Sequence, residues 1–340
     1  MFACRVPGVL QHFMVNPTVS VVMPAYNAAA FISAAITSVL NQSFNDLEVL
    51  VVDNLSSDDT IQIADQFKDP RVQVVKCHKR GAAASRNIGI NLAKGDYLQF
   101  LDADDLLVSD KIQNQLDILK KHSERSVASC SWGRFSEDPG KAEFIQEPVW
   151  KDYPVAWKWL LKSWEGGGMM QTASWLVPRQ IVEEAGPWNE SLISNPNDDG
   201  EYFCRVLLKS ESVAYCPTNG VLYRSLLPGS LSRRADDDAV ESAFRTCELY
   251  EQHVESAGLG DYFHVALRRN YLNFIYQYYP SRKDLVNEAW QNTVRLGGVQ
   301  SDSIGGVFFQ KFARRIGFMN ALRLREFLAP LRRPKLTVHG

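Results

Sequence analysis

The sequence predicts an α/β fold: a mixed, mostly parallel, Rossmann-like sheet flanked by helices, with a helical C-terminal appendage. Two observations lead there. Between Thr18 and Leu107, short β-branched runs alternate with helical patterns, the signature of successive βαβ units. After Asp236 the pattern changes to long helical stretches without strand signals. The boundaries that follow are an N-terminal extension at residues 1–16, an α/β domain at 17–235 divided into 17–107 and 108–235, and a helical region at 236–340.

Taken in order, strands are expected at VSVVMP, LEVLVVD, VQVVKC and DYLQFLD. Between the first two, Ile32, Ala35, Ile36, Val39 and Leu40 recur at helical spacing, so this helix lays one apolar face on the sheet, with Asn27 as its N-cap. The next helix starts in SSDDTIQIADQF, capped by Ser56 or Ser57, with Asp58 and Asp59 beside its positive end. A third helix over Lys111–Lys121 precedes a strand at VASCSWGRF. The stretch from 140 to 175 is less regular, holds Trp150, Trp157, Trp159 and Trp164, and ends in GGGMM. It reads equally as a loop beside a cleft or as a plain linker.

With 340 residues, 45% of them apolar, the chain can bury a sizeable core. Its 37 basic and 39 acidic residues leave a formal charge of -2, which argues against a nucleic-acid partner. Six scattered cysteines form no CxxC pair, so reduced thiols and a cytoplasmic location are expected rather than zinc or disulfides. No run of about 18 apolar residues predicts a membrane span. The N-terminal MFACRVPGVLQHFMV is read as an extension ahead of the fold, not as a signal peptide.

The stretch LQFLDADDLL, residues 98–107, places Asp102, Asp104 and Asp105 behind an apolar run suited to a buried strand. Buried carboxylates need partners. Along an extended chain residues i and i+2 share a face, which puts Asp102 and Asp104 together and Asp105 opposite. Two oxygen donors on one face suit Mg²⁺ or Mn²⁺, and Mg²⁺ is usually held by one or two carboxylates plus substrate phosphates. Such a site belongs outside the carboxyl ends of the strands. D-x-D alone is common in turns, and its company gives it weight.

That company is VSVVMPAYN at the first strand, VVDNLSSDDT at the second, and GAAASRNIGINLAKGDYLQFLDADD leading into the carboxylates. Over Pro17 to Ser232 this ordered set resembles the family 2 glycosyltransferases, inverting enzymes of the GT-A fold that use a nucleotide-diphosphate-sugar and a divalent metal. The resemblance makes 17–107 the nucleotide-binding half and 108–235 the acceptor half. Pro24, Ala25 and Tyr26 would line the base pocket, with Asp53 and Asn54 accepting hydrogen bonds from the base. The family commonly has two aspartates and a glycine here, whereas this chain has Asp53, Asn54 and Leu55. Arg86 would lie near the diphosphate, Asp102 would hold the ribose or the metal, and Asp104 would be the principal metal ligand.

In the acceptor half, NDDGEYFCRVLL places Asp199, with Asp198 beside it and Phe203 and Arg205 following, at the family's general-base position. Where the family often carries a late histidine, this chain reads YRSLLPGSLSR, with Leu226 and Leu227 in its place. Arg224 or Arg233 would then meet the leaving diphosphate instead. The resemblance implies a nucleotide-sugar donor, a UDP-sugar in first place, and a glycan or lipid-linked acceptor in surface polysaccharide or glycolipid synthesis. The lost histidine leaves open the alternative of a catalytically inactive sugar-nucleotide or glycan-binding homologue. Near the C-terminus, FFQKFARRIGFMNALRLREFLAPLRRPKL carries eight Lys or Arg against Glu326. It reads either as a helix packed on the domain or as a peripheral contact with an anionic inner membrane face.

Overall fold

The computed structural model describes residues 16–192, 197–225, 236–299 and 304–328, and of Asp198 only the backbone. Arg233, Leu226, Leu227 and the basic residues after Leu328 lie outside the described residues.

Strands β1 (Val19–Ala25), β2 (Leu47–Asp53), β3 (Val72–Lys76) and β4 (Tyr97–Phe100) run parallel, connected by α1 (Ile32–Leu40), α2 (Thr60–Ala64) and α3 (Ala82–Leu92). Every residue of β1 is buried, because helices cover both faces of the sheet; a continuous apolar run is how such a strand is written. After β4 come β5 (Leu106–Leu107), α4 (Lys111–Leu119), β6 (Ser126–Phe135), α5 (Trp157–Lys162), β7 (Val177–Pro178), α6 (Arg179–Ala185), α7 (Asp198–Lys209) and β8 (Ser212–Arg224). The first sheet has the order β3-β2-β1-β4-β7, with β7 antiparallel. A second sheet, β5-β8-β6, pairs β8 parallel to β6 and antiparallel to β5. The long strand β8 was not anticipated from sequence, because CPTNG interrupts its apolar pattern.

Two capping expectations are corrected. Asn27 does not cap α1: it adopts φ 48°, and its Oδ1 accepts the Ser57 N–H at 2.8 Å, tying the β1–α1 loop to the β2–α2 loop. Ser56 is drawn into the same tie, accepting the Asn27 N–H at 3.0 Å, and neither Ser56 nor Ser57 caps α2. Asp58 lies ahead of α2 and accepts the N–H groups of Ala29 and Thr60. These hydrogen bonds join segments some thirty residues apart, which local cap patterns cannot reveal.

The C-terminal elements are α8 (Asp237–Ser256), α9 (Gly260–Tyr278), α10 (Lys283–Arg295), α11 (Val307–Ile316) and α12 (Phe318–Leu328). Asp236 caps α8 by accepting the Ala239 N–H at 3.0 Å. Tyr250, Val254, Phe263 and Leu267 join the main core, whereas Phe244, Leu272, Ile275, Val286 and Leu322 build a second one. Residue 236 thus marks a change in type of structure, not a break in packing.

Candidate active site

The carboxyl ends of β1, β2 and β4 converge on one edge, where β1 pairs Ala25 with Asp53. Two loop hydrogen bonds prolong the ladder, from Asn54 N–H to the Ala25 carbonyl and from Cys77 N–H to the Asp53 carbonyl, each 2.7 Å. Pro24 and Ala25 are buried at this edge and Tyr26 stands exposed beyond it. Asp53 is buried: its Oδ2 accepts a 3.3 Å bond from the Ser56 N–H, while its Oδ1 meets no hydrogen-bond partner among the described residues. A buried carboxylate oxygen without a partner is costly.

Asn54 is differently engaged. Its amide donates to the Lys79 carbonyl and to Ser85 Oγ, and its Oδ1 accepts the Gly81 N–H at 2.8 Å. It holds the turn into α3, where Gly81 sits at φ 121°. Leu55, where the family commonly has glycine, lies at φ 63°, in the left-handed region that favours glycine.

α3 presses close to β1 at Gly89, where an added Cβ would collide with the Val22 side chain. That approach seats Arg86 in the interior. Its Nη2 donates to Asp102 Oδ1 at 2.8 Å, and its guanidinium lies 4.3 Å from the Trp188 ring centre. Trp188 stacks on Tyr202 of α7, and Phe100 at the end of β4 meets both rings edge-on. Phe203 stacks on Trp175 in the same cluster, while Arg205 grips the buried Glu201, which also pairs with His253 of α8. Phe203 and Arg205 thus fix the placement of α7.

The three clustered aspartates part company. Beyond Phe100 the chain turns, with Asp105 N–H donating to the Asp102 carbonyl at 3.1 Å, so the extended geometry assumed from sequence ends before them. Asp102 and Asp104 nevertheless remain partly exposed while Asp105 is fully buried. Burial, reinforced by the charge of Asp102, pushes the Asp104 carboxyl up to about 6. Asp105, raised well above the ordinary range by burial and its acidic neighbours, finds uncharged partners: Gln171 Nε2 at 2.6 Å and the Arg224 N–H at 2.7 Å. The β5–β8 pairing brings Arg224 here, its guanidinium between the Phe31 and Phe135 rings and donating to the carbonyls of Asp104 and Ser136.

Asp199 lies in the first turn of α7, where the helix dipole favours its negative charge. Its Oδ2 accepts the Thr172 hydroxyl at 3.0 Å and its Oδ1 the Gly200 N–H at 2.9 Å. Gln171 and Thr172, consecutive residues, therefore tie the D-x-D loop and Asp199 to one dipeptide. Sequence reasoning passed over this pair, as it did Trp188. The local signal was the glycine run before it, with Gly166 at φ 93° and Gly168 at φ 106°. A cavity of about 510 Å³ opens between α3, α7 and α8, lined by Trp188, Glu190, Glu201, Arg205 and His253, and includes none of the anticipated donor-site residues.

Among the described residues no group of three or more His, Cys, Asp or Glu is arranged to hold a metal. Asp102 and Asp104, two neighbouring partly exposed carboxylates, fit an ion whose coordination is completed by water or phosphate oxygens.

The Glycosyl transferase family 2 model matches residues 20–173. In Escherichia coli, the UDP-Glc:alpha-D-GlcNAc-diphosphoundecaprenol beta-1,3-glucosyltransferase WfaP is 39% identical over 103 residues, 30% of this chain and 41% of that enzyme. The match thus spans about two fifths of that relative's length. Among solved structures, S. aureus TarS 1–349 in complex with UDP-GlcNAc superposes with a TM-score of 0.70 at 15% identity, covering 92% of both chains. The mannosyltransferase PcManGT from Pyrobaculum calidifontis, in complex with GDP-Man and Mn²⁺, gives a TM-score of 0.52 at 17% identity, covering 93% of this chain and 86% of its own. With the parallel sheet, the D-x-D turn after β4 and the acidic start of α7 in place, the chain carries over residues 20–173 a domain of glycosyl transferase family 2, set within a GT-A fold.

Proposed function

We propose that the chain is an inverting, metal-dependent glycosyltransferase that moves a sugar from a nucleotide-diphosphate donor to an acceptor hydroxyl. A UDP-sugar is the preferred donor and a glycan or lipid-linked acceptor the preferred partner, in surface polysaccharide or glycolipid synthesis on the cytoplasmic side of the membrane. One observation carries the reading: consecutive residues Gln171 and Thr172 hydrogen-bond to Asp105 beside the D-x-D pair and to Asp199, which supports a site shared by acidic groups from distant parts of the chain.

On this reading Pro24, Ala25 and Tyr26 border the base, and the open valence of Asp53 Oδ1 accepts a base N–H. Asn54 contributes by bracing the turn into α3 with its side-chain hydrogen bonds rather than by meeting the base itself. Asp102 and Asp104 would hold a divalent cation, Mn²⁺ or Mg²⁺, which supplies charge neutralisation for the departing diphosphate. Arg86 orients Asp102 through their 2.8 Å ion pair. Arg224, wedged between two aromatic rings, adds positive charge beside Asp104. Asp199 removes the acceptor proton as the new bond to the anomeric carbon forms, and attack opposite the leaving group inverts that carbon. The E. coli relative's UDP-Glc donor and lipid-linked acceptor support the substrate classes chosen.

The test is nucleotide release from a panel of UDP- and GDP-sugars with Mn²⁺ or Mg²⁺. Donor turnover that disappears in Asp199→Asn or Asp104→Asn is expected. Absence of both turnover and calorimetric binding of UDP or GDP would overturn the proposal.

A further inference from the structure

α11 runs against the usual logic of a surface helix. None of its residues is buried, yet Val307 is 67% exposed, Phe308 76%, Phe312 45% and Ile316 42%. Phe308, Phe312 and Ile316 stand four residues apart and form one stripe along the helix. Lys311, Arg314 and Arg315, all exposed, occupy the adjoining face, and α11 contains no acidic residue. The side turned to the protein is held by Phe309, which meets Tyr276 at 4.8 Å and Phe318 at 5.5 Å between ring centres. Gly317, at φ 85°, reverses the chain into α12, where Phe327 is 75% exposed and Arg323 also faces solvent. The fold thus anchors α11 by its small inner face and presents its larger apolar stripe outward.

From this face we propose that α11 is an in-plane anchor that docks the protein on an anionic phospholipid surface. The stripe would enter the acyl boundary while the cations beside it meet lipid phosphates, the division of labour of interfacial helices. A second copy of the chain is a poorer occupant, because a two-fold contact would set Lys311, Arg314 and Arg315 against themselves. Sequence beyond α12 adds Arg332, Arg333 and Lys335 with no acid. The inference rests on the helix face alone; a chain unable to use any donor would still bind.

The test is flotation of the full chain, without donor, with vesicles of phosphatidylglycerol and phosphatidylcholine in equal parts and with vesicles of phosphatidylcholine alone. Binding to the anionic vesicles only, weakened by salt, is expected. Lys311→Glu/Arg314→Glu/Arg315→Glu should lower the bound fraction more than ten-fold, given on the order of five-fold per cation. Phe308→Ser/Phe312→Ser should do likewise with unchanged thermal stability. No flotation of the wild-type chain overturns the proposal, as does undiminished flotation of both variants, which would move the contact to the tail. A dimer in light scattering that the Phe308→Ser/Phe312→Ser variant dissociates, with flotation unaffected, would assign the face to self-association instead.

Discussion

Thr172 donates its hydroxyl to Asp199 Oδ2 at 3.0 Å, while its neighbour Gln171 holds Asp105 at 2.6 Å. This dipeptide ties the turn after β4 to the first turn of α7, the two segments that the proposed function assigns to the leaving group and to the acceptor. If Asp199 is the general base, Asp199→Asn lowers transfer on the order of 10² or more. Thr172→Val, which leaves the carboxylate but loosens it, should cost less, roughly ten-fold. Steady-state nucleotide release for both variants checks the order; an Asp199→Asn enzyme as fast as wild type sinks the assignment.

Asp104→Asn and chelation should converge. Removing divalent ions with EDTA is expected to abolish turnover, and added Mn²⁺ to restore it in the wild type but not in the variant. The loss is again on the order of 10² or more, the scale of electrostatic stabilisation. Full activity in EDTA would remove the metal from the scheme.

Adjacent residues Asp53 and Asn54 should respond in opposite registers. Asp53→Asn takes away a charged acceptor with an open valence, so UDP affinity should fall about ten-fold or more with little change in folding. Asn54→Ala breaks three hydrogen bonds that brace the turn into α3, and should cost about 1–3 kcal/mol of stability. Calorimetry with UDP and urea denaturation separate the two.

Lys111 supplies a pH signature remote from the site. Its ammonium is buried with Gln99 as its hydrogen-bond partner, and burial pulls its pKa from 10.5 to about 8. Between those values the unfolded chain holds a proton that the native chain has lost, so this one group contributes stability that rises with pH from about 8 to 10.5, against the opposite contribution of buried thiols such as Cys130, whose pKa burial raises from 9.0 to about 11. The span corresponds to about 3 kcal/mol. Lys111→Met should remove this contribution, so that in urea titrations its stability relative to wild type falls as pH rises across that range; parallel curves for the two proteins would refute the account.

Leu55 at φ 63° stores backbone strain that glycine would relieve. Leu55→Gly should therefore not destabilise the fold and is expected to raise stability by up to about 1 kcal/mol, the gain limited by glycine's greater freedom when unfolded. A lowered Tm would contradict it.

The alternation of strands and helices up to Leu107, the helical C-terminal stretch and the D-x-D turn are all legible in the chain's residues, because each is written in local periodicity and residue type. The folded chain set which of these aspartates is buried and which partners each one meets. Asp105 turned out to be an internal strut, since Gln171 and Arg224 reach it from 66 and 119 residues away. Asn54 became a brace for the next loop, and Asn27 a tie between loops rather than a cap. The aromatic seat that sets Arg86 and α7 in place likewise joins Phe100, Trp188 and Tyr202 from separate segments. A side chain's identity states which bonds it is able to make; only the folded chain brings the partner that it does bond, because hydrogen bonds need atoms about 3 Å apart while sequence carries no record of distance.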